Sequence, residues 1–176
     1  MSQLEPGVRR LCAAVVGGGA DLLARSCQTA AMGRVYVSDE HGPAIAVAPP
    51  GIDEAAMVDG LLAALHQSAC TDPAALEHTV VAAFHVGIVR VDGNGFGGTG
   101  VHRVLHLAQR GALNAVGSAD EAAPGPWMLT LVSEYLFTDL LAEGWPAEGW
   151  HPVPAAGAWY KRYPMPRPAT SAAQRL

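Results

Sequence analysis

Apolar side chains recur at steps of three and four between residues 52 and 68. Met57, Leu61, Leu62 and Leu65 fall on one face, so this segment predicts the clearest helix of the chain. Residues 79–91 are rich in β-branched side chains and predict a long central strand. Residues 34–38 alternate apolar and polar, residues 39–43 carry turn chemistry, and 44–48 read as a second strand closed by Pro49 and Pro50. The two strands predict an antiparallel hairpin. Residues 8–16 have helical composition after Pro6, Gly17 to Gly19 interrupt them, and 21–31 resume as helix. Beyond the central strand come a glycine-rich turn at 93–100, a helix at 101–113, a polar loop at 120–126, a strand at 127–132 and a helix at 134–143. Segments 149–152 and 158–163 predict a terminal strand pair. The Pro-, Ala- and Ser-rich tail 164–176 is expected to be disordered. Strands thus alternate with helices and hairpins lie at both ends. This predicts an α+β sandwich, a mostly antiparallel sheet with helices packed on it.

Composition narrows the partners. The chain has 176 residues, 50% of them hydrophobic and 15% charged, which fits one globular domain with a core. A net charge of −5, with basic residues clustered only at Arg9-Arg10 and Lys161-Arg162, argues against nucleic acid or an anionic membrane as partner. Cys12, Cys27 and Cys70 are odd in number and widely spaced, so they give neither a disulfide framework nor a zinc pattern. With no signal peptide and no apolar window of membrane-spanning length, the expectation is a cytoplasmic protein.

The segment from Ala82 to Leu107 combines an apolar strand, a glycine-rich turn and an amphipathic helix. Within it stand His85-Val-Gly87, Asp92-Gly-Asn-Gly95 and Gly98-Thr-Gly-Val-His102. Farther on come Leu129-Thr-Leu-Val-Ser-Glu134 and a closing pair from Trp150-His-Pro-Val153 to Tyr160-Lys161. In order and spacing these pieces resemble the class III nucleotidyl (adenylate and guanylate) cyclase homology domain, over about residues 33–163. The resemblance implies a ferredoxin-like cyclase-type sandwich over residues 1–163, with a divergent N-terminal part at 1–32. It also implies a homodimer, or a heterodimer with another cyclase-like domain, because class III sites are built across a head-to-tail interface.

The same resemblance implies that cyclase chemistry is absent. That chemistry needs two metal-binding aspartates, one on the first strand and one in the hairpin turn before the strand at 44–48. The hairpin alignment puts Gly42 or Pro43 at the second position, with Asp39 three residues away. The first strand is missing or reduced to 11–16, where no carboxylate occurs. The family's transition-state asparagine and arginine, one helical turn apart, correspond here to His102 and His106. Neutral imidazoles do not replace a permanently charged guanidinium fork. The expectation is therefore a non-catalytic regulatory or scaffolding module that acts through dimerisation and uses no cofactor. The alternative is a repurposed cleft in which His85, His102 and His106 do acid–base or metal chemistry, or bind a small molecule.

Two further motifs have plainer readings. Gly93, Gly95 and Gly98 satisfy a dinucleotide fingerprint formally, but the units of a dinucleotide fold do not follow. With Thr99 they form at most an anion cradle and more simply a hairpin turn. His102 and His106 have metal-compatible spacing, yet Arg103 stands where a metalloprotease has its glutamate. Cys70 lacks an identifiable base, Ser133-Glu134 reads as a helix cap, and Trp145, Trp150 and Trp159 read as packing of the last strands on a helix.

Overall fold

The computed structural model describes residues 6–33, 35–37, 42–92, 95–111 and 126–166. Strand β1 (Val8–Val16) is followed by α1 (Gly19–Thr29), the hairpin β2 (Val35–Val37) and β3 (Ala44–Val47), α2 (Glu54–Thr71) and the single turn α3 (Pro73–Leu76). Then come β4 (Val80–Asp92), β5 (Gly95–Gly97), α4 (Thr99–His106) and a π-helical turn (Leu107–Gly111). The chain continues with β6 (Trp127–Ser133), α5 (Glu134–Ala142), β7 (His151–Val153), a 3-10 turn (Pro154–Ala156) and β8 (Ala158–Pro164).

The strands form one open sheet in the order β2-β3-β1-β4-β6-β8-β7, and β5 pairs only with the end of β4. Every pairing is antiparallel except β4 with β6. The fold is thus α+β with a mostly antiparallel sheet, as the sequence predicts. Its first part, β1-α1-β2-β3-α2-β4 in the spatial order β2-β3-β1-β4, is the ferredoxin-like arrangement.

Residues 8–16 correct the helical reading and the notion of a missing first strand. They form β1, paired over nine positions with β4 from Val8↔Val89 to Val16↔Val81. Five consecutive residues, Leu11 to Val15, are buried. Leu11, Ala13 and Val15 face one core, while Cys12 and Ala14 face the other. A strand covered on both faces has no polar alternation, so its alanines read as helix formers. The π-helical turn likewise replaces the α-helix predicted at 107–111, and β5 lies within the predicted turn at 93–100.

Helices α1, α2 and α5 cover one sheet face through Leu22, Leu23, Val58, Leu61, Leu65, Leu136 and Phe137. Trp145 and Trp150 join this core, and Trp159 stacks on Phe137 at 4.5 Å between ring centres, so the tryptophans pack as predicted. The other face carries α4 and its π-helical turn, through Val101, Val104, Leu107 and Ala108. The fold extends slightly into the predicted tail. Pro164 ends β8, Met165 is buried, and its N–H donates to the Pro126 carbonyl at 3.0 Å. Residues 167–176 lie outside the described residues. No helix among the described residues is long and apolar enough to cross a membrane.

Candidate functional site

The parallel pair β4 and β6 brings together the segment that carries the chemical motifs. His85 lies on the α4 side of β4, between Ala83 and Gly87. Its Nδ1 is 2.8 Å from the Ser133 hydroxyl at the end of β6. Ser133 is also the N-cap of α5, as its sequence predicts, and its oxygen accepts from the Leu136 N–H at 3.4 Å. Burial pushes the His85 pKa down to about 4, helped by the positive charge of Arg103. The imidazole is therefore neutral at pH 7. The Arg103 guanidinium donates to the Ala156 carbonyl at 2.9 Å, which ties α4 to the 3-10 turn.

The His85–Ser133 contact has the length of a base–nucleophile bond but not its setting. Ser133 is 2% exposed, and its hydroxyl is committed to the cap and the imidazole. A nucleophile needs access to a substrate carbonyl or phosphorus. The pair is a part-buried polar clasp that joins β4, β6 and the start of α5.

His102 and His106 sit on the exposed face of α4, whereas His85 is turned under its first turn. No group of three or more His, Cys, Asp or Glu able to hold a metal ion occurs among the described residues. Two carbons explain how α4 is seated. A Cβ on Gly87 would stand 2.6 Å from the Gly100 Cα and 3.0 Å from His85 Nε2, so helix and strand touch backbone to backbone. Gly98, the N-cap, has φ +115°, and a Cβ there would meet the Ile88 carbonyl oxygen at 2.6 Å. Gly98 is thus pressed on β4, where the cradle reading needs it open to an anion. Thr99 is exposed and Gly95 lies on β5. Gly93 lies outside the described residues.

The resemblance would put its carboxylate positions within residues 11–16 of β1 and at Gly42 or Pro43, just before β3, where the end of β1 lies beside the start of β3. There Val15 pairs with Ala44 and Ala14 with Ile45. All four side chains are apolar and at most 2% exposed. Gly42 and Pro43 stand immediately before β3, while Asp39 lies outside the described residues.

One contact was within reach of the sequence and missed by it. His66 and Cys70 are one turn apart on α2, with His66 Nε2 3.6 Å from the Cys70 sulfur. The imidazole does not activate the thiol. His66 Nε2 also lies 2.9 Å from the Pro164 carbonyl, to which it donates, and burial raises the Cys70 pKa. Cys12 and Cys27 are buried thiols pushed up to about 12 and about 11.

In comparison with known proteins, the chain matches no protein-family model and no curated protein.

Proposed function

We propose that this chain is a cyclase-like module without cyclase chemistry, acting as a regulatory or scaffolding element through self-association. The observation that carries the reading is the β1–β3 end. In a two-metal phosphoryl-transfer site, carboxylates must face the triphosphate there. Here residues 11–16 of β1 carry no carboxylate, and Gly42 or Pro43 stands at the second position; the adjoining Ala14, Val15, Ala44 and Ile45 are apolar and buried. The neighbouring elements support the resemblance. A ferredoxin-like sheet, a long β4 and an α4 seated glycine on glycine follow one another in the order that the resemblance requires.

The interaction reading has its own support. Residues 90–92 of β4 pair with β5 alone, whereas β1 pairs with β4 only as far as Val89. Two-stranded ribbons are marginal in water and gain stability by packing on something else. A second copy covering this arm would supply that packing, and Val8 and Ile88 are exposed at the same end of the sheet.

The test has two parts. Purified protein incubated with ATP or GTP and Mg2+ or Mn2+ is expected to form no cyclic nucleotide. Its sedimentation is expected to show reversible, concentration-dependent dimers. Turnover abolished by His102→Ala would overturn the first part, and a monomer at all concentrations the second.

A further inference from the structure

A cavity of about 310 Å³ opens on the α4 side of the sheet, between the β4–β5 arm and the end of β3. Its walls are Val47, Pro49, Val91 and Phe96, and Arg10 of β1 lines it as well. Among the described residues, Arg10 supplies the cavity's only ionisable side chain. Its volume is at the small end of ligand pockets.

Arg9 and Arg10 are neighbours on β1 and point to opposite faces. The Arg9 guanidinium is well partnered: it bonds Glu54 at 3.0 Å, Asp139 at 2.9 Å and the Tyr135 hydroxyl at 2.9 Å. Arg10 has no ion pair among the described residues, and its Nε is buried without any hydrogen-bond partner. A buried donor left unmade costs about 1–3 kcal/mol, and more for a charged group. A partly buried guanidinium without an acceptor, at the wall of a cavity, is therefore a donor set awaiting an acceptor.

The walls identify that acceptor. A guanidinium offers parallel N–H donors that match a carboxylate in a two-point bond. One cation neutralises one negative charge. A phosphate dianion would leave a charge uncompensated among valines, prolines and a phenyl ring, which is unfavourable. We propose that this pocket binds a small monocarboxylate with an aromatic or branched apolar body, its carboxylate held by Arg10 and its body lying against Val47, Val91 and Phe96. The site is distinct from the β1–β3 end, but it shares Val91 and Phe96 with the β4–β5 arm, so the titration below is run at a protein concentration where the chain is monomeric.

The test is an NMR titration of the isotopically labelled full chain with phenylacetate, its neutral analogue phenylacetamide, and phenyl phosphate. Saturable shifts are expected at the Val47 and Val91 methyl groups and at Phe96. Binding is expected to weaken about tenfold or more for phenylacetamide and for Arg10→Gln, the scale of losing a charge-assisted two-point bond. Dispersed spectra of the Arg10→Gln protein will show that it is folded, and the phenylacetamide comparison needs no variant at all. The proposal is overturned by the absence of saturable shifts up to about 10 mM, well beyond the affinity of a useful small-ligand site. Equal binding of phenylacetamide would also overturn it, as would tighter binding of phenyl phosphate.

Discussion

His85 behaves as a structural histidine whose protonation opposes folding. Its pKa is about 4 in the fold, against an ordinary value of 6.5. Between those values the unfolded chain binds more protons than the native one, so this group's contribution to stability is complete above about pH 6.5 and is lost as pH falls toward 4. The ring is only partly buried, so the expected contribution is about 2 kcal/mol, less than the full shift implies. Urea denaturation at pH 7 and pH 5 should show the wild type losing more stability on acidification than His85→Gln, and equal losses would contradict this. Thr130 gives an opposite case. It is 0% exposed and its hydroxyl has no partner among the described residues, so Thr130→Val should leave stability unchanged or raise it by about 1 kcal/mol. A loss in the same denaturation assay would mean that the hydroxyl is satisfied in solution. The histidines of the sequence reading were identifiable by residue type. Their environments were not, because burial of His85 under α4 depends on contacts between segments that periodicity does not report.

Elements were legible where one face meets water and opaque where both are covered. Helix α2 followed from its apolar spacing, and its start at Asp53, whose carboxylate accepts from the Ala56 N–H at 2.9 Å, is an ordinary cap. Strand β1 was misread because Leu11 to Val15 are apolar on both faces and rich in alanine, which removes the period of two. The glycines of the β4–α4 segment were visible, but their reason was not. The sequence suggests a turn, whereas Gly87 and Gly100 allow a helix to lie on a strand. This yields a sharp expectation. In a strand, alanine is ordinarily no worse than glycine. Gly87→Ala should nonetheless destabilise the fold by about 2–4 kcal/mol, because its Cβ would meet the α4 backbone at 2.6 Å. Chemical denaturation measures this, and a neutral effect would mean that α4 is not held against β4.

For the molecule as a whole, the order of elements was largely readable, since hairpins, central strand and closing pair appear where their turn residues place them. On catalysis the sequence speaks only through the proposed resemblance, whose carboxylate, asparagine and arginine positions carry other residues here. The pocket at Arg10 was not readable at all, because its walls come from β1, β3, β4 and β5, far apart in sequence. The central claim is that the chain works by contact between copies and not by turnover. Sedimentation velocity of the full chain, from low micromolar to several hundred micromolar, tests it most directly. The account predicts a reversible shift from monomer to dimer over that range. A single monomeric species throughout would contradict it.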